Sequence, residues 1–465
     1  MTINRLPNEV LLEVFDSYRQ SFNDQYDDQW RKKYAWFNLA HVCRRWRAVV
    51  FGSYSYLDLN IVVGPEKPAH IKTFLSGYFK LPILIDYSPC SSGPLREITG
   101  SALWRMHAAL KCRDRVREIS FGGWVVGFPE KFISGANHHF PALESLVLRF
   151  PKNQQPYIPD TFLRGPKKSH FPLRLLKLYG GSLSSVSGLL LSATALTDLT
   201  LDVSSNTTHF ELQESVLIAC LQGMQCLCNL DLTIPCYLRS LPHSTPKDMV
   251  TLLKLTRFHY SGVTLFLNNL MSGISTPSLQ EARFKLCSGS PFPHFSRIID
   301  EVREELRSIS VTFDRVYFRL SSSTQLGKID HFKPSFSFNT NDFPNSMKTT
   351  NIPPSTKLAM AEELTLNIPN SFYSQIRTWE PIFSMREFLR QFRSVRVLRV
   401  SPFPFVRELG LYLQQNYGEA IFPLLEEIEL FDEEYQRRAA EALATFQPFA
   451  SARDRAGRLV KIHHC

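Results

Sequence analysis

From Val116 onward the apolar positions repeat one local pattern: an apolar residue, two others, an apolar residue, one other, and a third apolar residue. It runs through Val116-Ile119-Phe121, Leu143-Leu146-Leu148, Leu173-Leu176-Leu178, Leu196-Leu199-Leu201 and Leu227-Leu230-Leu232. It goes on through Leu255-Phe258-Tyr260, Leu279-Ala282-Phe284 and Leu306-Ile309-Val311, and returns as Ala361-Leu364-Leu366, Val395-Leu398-Val400 and Leu425-Ile428-Leu430. Val116 and Leu306 are seven steps apart, a mean of about 27 residues per step. The alternation at the end of each unit places its last two apolar residues on one face of a short strand. The interval from Leu306 to Ala361 is about two steps long, which predicts one degenerate unit inside it. Helices are expected between strands at Val186–Ala193, Glu214–Met224, Val263–Met271, Phe295–Leu306 and Met385–Phe392. Each such strand and helix is apolar on one side only, so stacked neighbours bury a continuous core.

Flanking segments read differently. Between Asn60 and Asp114 a strand-like piece (Leu81–Asp86) and a helical piece (Ser101–Lys111) suggest a cap on the first repeat. Pro151–Pro172 and residues 333–356, the latter with Pro334, Pro344, Pro353 and Pro354, read as loops. Glu434–Phe446 is amphipathic and suited to covering the last repeat.

The first sixty residues carry helical periods. Pro7 suits a first helical position and Glu9 suits the positive end of the helix dipole. Val10, Val14 and Tyr18 recur at four-residue steps with Leu11 and Phe15 beside them, giving an apolar face. Arg19 to Gln29 is polar and reads as a loop. A single helix is expected from Trp30 to about Phe51, with Ala35, Leu39, Val42, Trp46 and Val49 as its apolar stripe. Its other face carries Arg31, Lys32, Lys33, Arg44, Arg45 and Arg47.

Leu6-Pro7-Asn8-Glu9-Val10-Leu11 with Phe15, followed by Leu39-Ala40-His41-Val42-Cys43-Arg44-Arg45-Trp46-Arg47, resembles the F-box. That family opens on Leu-Pro and an acidic residue before an apolar helix, and closes on Val-Cys with a Trp three residues later. Together with Trp30-Arg31-Lys32-Lys33 and Ala102-Leu103-Trp104-Arg105, the chain looks like the expanded F-box families of mushroom-forming fungi. Arg19–Trp30 lengthens the gap between the helices by about ten residues, an insertion that a loop absorbs at small entropic cost. The resemblance implies docking onto a Skp-family adaptor and, through it, a cullin, with Leu6, Pro7, Val10, Leu11, Val42, Cys43 and Trp46 at the matching positions. A module this short leaves apolar surface for a partner to cover. The repeat unit and period are those of leucine-rich repeats. The asparagine or cysteine that usually follows the strand is replaced by Pro151, Gly181, Ser204 and Pro235, with only Cys287 matching, so the repeats are degenerate.

Composition narrows the class. At 465 residues with 44% hydrophobic positions the chain has material for a large core, and a mainly disordered chain is excluded. A net charge of +10 is mild over this length and does not by itself indicate nucleic acid. Nine cysteines, with no C-x-x-C, suggest free thiols in a reducing compartment, and Cys226 and Cys228 read as buried thiols of a repeat strand. No signal peptide or membrane span is expected. Phosphate-loop, dinucleotide, zinc-protease and nucleophile-elbow motifs do not occur. His138-His139 and His463-His464-Cys465 lack the neighbours a zinc site needs, the latter at a free end. Arg283, Lys285, Arg315, Arg319, Arg396 and Arg399 read as a solvated basic tint on strand faces. No metal, cofactor or catalytic residue is expected.

The expected fold class is therefore α/β: a short all-α F-box at the N-terminus followed by a degenerate leucine-rich-repeat solenoid. The expected domains are the F-box at 1–56, a connecting segment and cap at 57–114, and the solenoid at 115–465 with its loop insertion at 333–356. Its expected role is substrate recognition in an SCF-type ubiquitin ligase, cytoplasmic or nuclear, with an unknown protein target and neither nucleic acid nor membrane as partner. The alternative is a protein-interaction scaffold outside ubiquitin transfer.

Overall fold

The computed structural model describes residues 6–25, 29–64, 75–78, 80–87, 100–122, 140–150, 172–180, 183–203, 214–235, 249–286, 294–301, 308–313, 318–322, 335–340, 355–367, 389–401, 409–414, 421–430 and 439–464. They form two compact units, one of residues 1–151 and 156–177, the other of 152–155 and 178–465.

The first unit begins with helices α1 (Asn8–Gln25), α2 (Gln29–Val42) and α3 (Arg44–Gly52). Strands β1 (Ile61–Val63) and β2 (Ile83–Tyr87), helix α4 (Gly100–Leu110), and strands β3 (Val116–Phe121) and β4 (Ser145–Arg149) come next. β1 to β4 pair in parallel in chain order. Arg115 ties the segment before β2 to β3, its guanidinium donating to the carbonyls of Leu75 (3.0 Å), Tyr78 (2.7 Å) and Leu81 (2.9 Å).

Two helical expectations change here. Arg19–Gln29 is not a loop as far as Gln25, because α1 runs on through that residue. Its polar residues bond along the helix, Arg19 and Gln20 donating to the Asp16 carboxylate at 3.0 and 2.7 Å. The expected single helix from Trp30 to Phe51 is broken at Cys43. That residue is extended (φ −158°, ψ 171°), and its thiol accepts from the Trp46 N–H at 3.4 Å, so it caps a new helix. The break also splits the expected stripe: Leu39 is buried, whereas Val42 is 58% exposed.

β5 (Leu175–Tyr179) spans the boundary between the units. In the second unit come α5 (Leu183–Ser192), β6 (Asp198–Asp202), α6 (Glu214–Gln222), β7 (Asn229–Thr233), β8 (Val250–Thr251) and β9 (Arg257–Gly262). Next are α7 (Thr264–Gly273), β10 (Ile274–Ser275), β11 (Glu281–Leu286), α8 (Phe295–Glu301), β12 (Ser308–Phe313), β13 (Phe318–Ser322) and β14 (Ser335–Thr340). The chain closes with α9 (Thr356–Met360), β15 (Glu363–Asn367), β16 (Val397–Ser401), β17 (Glu427–Leu430), α10 (Ala439–Arg455) and β18 (Lys461–His464).

All eleven expected strand positions are strands. The core follows the sequence pattern: Leu199 and Leu201, Leu230 and Leu232, Phe258 and Tyr260, Leu364 and Leu366, Leu398 and Val400, and Ile428 and Leu430 are buried. Several of the triplets share a further apolar position, three residues before the first apolar residue. Phe140, Ala193, Met224, Leu252, Leu358 and Phe422 are buried, and each carbonyl accepts the N–H three residues on. The residue before a strand then takes two amides from the next unit: Thr197 O accepts from Cys228 and Asn229, Cys228 O from Thr256 and Arg257, and Thr256 O from Gln280 and Glu281. Backbone bonds thus stack these turns on one another.

The interval 306–361 departs from expectation. Its described residues hold β12, β13 and β14 as an antiparallel meander in place of a single parallel strand, giving the order β11, β14, β13, β12, β15. β14 also lies within the stretch read as a loop at 333–356, of which 333–334 and 341–354 fall outside the described residues. Asp300 in α8 closes the detour, its carboxylate accepting from the Ser355 hydroxyl (2.8 Å), the Thr356 hydroxyl (3.0 Å) and the Lys357 N–H (3.2 Å) at the start of α9. β15 to β18 are parallel again. Residues 151–171 of the other expected loop, and 385–388 of the expected helix Met385–Phe392, also lie outside the described residues.

Candidate functional site

The three N-terminal helices close around Leu11, Phe15, Leu39, Ala40 and Val50, all buried. The Phe15 and Trp46 rings meet at 4.7 Å and hold α3 against α1. Arg45 donates to the Leu6 carbonyl and to Asn8 Oδ1, drawing the start of α1 to the start of α3. Arg47 donates to the Ala40 carbonyl at 3.0 Å. Arginines that the sequence placed on a solvated face therefore act as staples between helices.

This geometry gathers the expected docking residues. Leu6 and Pro7 open α1, Val42 ends α2, Cys43 caps α3 and Trp46 stands in its first turn. Their exposures differ. Pro7, Val10 (39%) and Val42 (58%) face solvent; Leu6, Cys43 and Trp46 are half-buried. Leu11, at 1%, is core and holds the helices together rather than offering surface. Of the apolar face expected from Val10, Leu11, Val14, Phe15 and Tyr18, α1 buries Leu11 and Phe15 and turns Val10 and Val14 (46%) outward. Val14 was legible as part of the four-residue period, but Arg45 as a staple carried no local signal.

The module also packs on the next segment of its own unit. The Trp36 and Phe51 rings lie 6.2 and 4.8 Å from Tyr78, and Arg19 donates to the Leu57 carbonyl at 2.8 Å.

A second candidate surface is the outward face of the second unit's strands. Glu281 contacts Arg257, His259 and Arg283. Arg399 lies between Glu363 (2.7 Å) and Glu429 (2.6 Å), and Arg396 faces Glu426 at 3.7 Å. The basic tint is thus neutralised where its side chains are described; Arg315 and the side chains of Lys285 and Arg319 are not.

The thiols and histidines read otherwise than the sequence suggested. Cys226 and Cys228 precede β7 and are half-buried; among the described residues the buried thiol is Cys220, whose pKa burial pushes up to about 11. His463 is not at a free end, since β18 pairs with β17 and its imidazole lies 3.1 Å from Glu427. Among the described residues no cluster of His, Cys, Asp or Glu is placed to hold a metal, and no helix is long and apolar enough to cross a membrane. No curated protein matches the chain. The F-box-like family pattern matches residues 3–60, the span of the three helices and their Arg45-stapled end, and the N-terminal module is an F-box-like domain.

Proposed function

We propose that the chain is the substrate-recognition subunit of an SCF-type ubiquitin ligase. In this reading the F-box-like domain binds a Skp-family adaptor and, through it, a cullin. The repeated strands are degenerate leucine-rich repeats whose outward face receives a protein target. Ubiquitin chemistry belongs to other subunits, so the chain carries no catalytic residue, cofactor or metal, and it works in the cytoplasm or nucleus. One observation carries the proposal: a helical module that packs its own aromatic core nevertheless turns Pro7, Val10, Val14 and Val42 to solvent. The polar, charge-paired strand face suits a protein target better than nucleic acid, which would want unneutralised arginine and lysine.

Co-expression with adaptor and cullin tests the reading. The full chain is expected to co-purify with both, and Leu6→Ala with Pro7→Ala is expected to lose both while keeping its thermal midpoint. Undiminished adaptor recovery with the double variant would refute docking through this end. Adaptor binding without cullin would point instead to a scaffold outside ubiquitin transfer.

A further inference from the structure

β18 ends the strand order of the second unit, and among the described residues no strand lies beyond it. Its position in the register shows what is missing there. Leu364, Leu398, Ile428 and Ile462 form one row across β15 to β18. The first three are fully buried, but Ile462 is only half-buried, and Leu459 just before the strand is 63% exposed. In a parallel pair, successive residues bond to alternate sides. The Lys461 N–H donates inward to Glu426 O at 2.9 Å, so the N–H and carbonyl of Ile462 face away from β17.

The opposite face carries charges that alternate strand by strand. β15 presents Glu363, β16 Arg399, β17 Glu427 and Glu429, and β18 Lys461 and His463. The basic residue of β16 touches a carboxylate on both sides, Glu363 and Glu429. β18 has acidic neighbours on one side only: His463 faces Glu427, and Lys461 has no ion-pair partner among the described residues. A second β18 from another copy would set Lys461 against like charge, which disfavours self-pairing. The strand that does fit is already visible on the inner side, where Glu427-Ile428-Glu429-Leu430 alternates carboxylates with apolar side chains.

We propose that the outer edge of β18 is a strand-addition site for an extended acidic segment of a partner protein, with carboxylates at alternate positions and an apolar residue between them. Backbone bonds to Ile462 supply affinity, and Lys461 with His463 selects acidic sequences. The site belongs to the other unit from Leu6 and Pro7, so Leu6→Ala with Pro7→Ala is expected to leave it unchanged.

The test uses the full chain and a fluorescent synthetic peptide with the sequence of Leu425–Leu430, read by anisotropy. Saturable binding is expected, weakened by salt. Lys461→Glu is expected to weaken it about tenfold, as attraction becomes repulsion. The same variant is expected to gain affinity for a peptide with lysines in place of the glutamates. A peptide N-methylated on the amides that would meet Ile462 is expected not to bind. If Lys461→Glu lowers the thermal midpoint, Lys461→Gln should still show a smaller loss in a folded protein. Equal binding of the N-methylated peptide would reduce the site to charge adhesion and overturn strand addition. Equal binding of the lysine peptide to the unaltered chain, or no binding at all, would also overturn it.

Discussion

The two apolar stripes of α1 make opposite claims that one pair of variants separates. Val10 and Val14 point outward and Leu11 points inward. Replacing both valines by serine removes the outward stripe with little change in helix propensity. At 39% and 46% exposure, each valine has somewhat under half its burial still to gain from a partner. Full burial of a valine is worth about 1.5–3 kcal/mol, so the pair contributes about 1–2.5 kcal/mol to docking, or about 5- to 60-fold in affinity. The free chain should not notice, since surface changes away from special features stay within about 0.5 kcal/mol. Leu11→Ala should do the reverse. It opens a cavity in the three-helix core at a cost of about 2–5 kcal/mol, and it weakens docking only through loss of the folded module. Calorimetric titration with a purified Skp-family adaptor, and thermal unfolding of each free variant, read the two effects separately. A Val10→Ser, Val14→Ser protein that binds like the original would show that the outward stripe does not dock. One that melts several degrees lower would show that the stripe is core.

Other consequences concern stability. Gly262 has φ +154°, and an added Cβ would lie 2.7 Å from Ile234 O and 2.8 Å from Ile234 Cβ; Gly262→Ala should therefore cost about 2–4 kcal/mol in chemical denaturation. Gly457→Ala (φ +73°, nothing within 4 Å) should cost only about 1–2 kcal/mol, and equal losses would show that crowding at Gly262 is not the cause. His294 has a pKa lowered from 6.5, first by burial and then by Arg297, so the unfolded chain takes up its proton more readily. The His294 contribution is fully present above 6.5 and is lost as pH falls below it; the thermal midpoint should drop over that range, and His294→Gln should flatten the slope. A chain beginning at Leu57 loses the Trp36 and Phe51 contacts to Tyr78, each worth about 0.5–1.5 kcal/mol, and should melt below the full chain; an unchanged midpoint would refute that packing.

Much of this protein was legible without coordinates because its information is local. An apolar triplet with alternating ends selects a strand wherever it stands, as all eleven did, and its last two apolar residues are buried wherever those side chains are described. Likewise Leu6-Pro7, Val42-Cys43 and Trp46 marked the F-box-like end before any helix was placed. What stayed hidden depends on partners distant in sequence or on backbone geometry. The break at Cys43 is a capping conformation, invisible in a residue that also reads as a small apolar helix position. Which part of the apolar face of α1 points inward was decided by Trp46 packing on Phe15, because spacing alone grouped Val10 and Val14 with Leu11 and Phe15. The meander of β12 to β14 pairs strands against the parallel order of their neighbours, and β18 owes its place to β17 and the helix before it. Sequence pattern fixes which side of an element is apolar, because that is a property of spacing. Which neighbour covers that side, and which edge is left open, is a property of packing, and only the tertiary structure decided it.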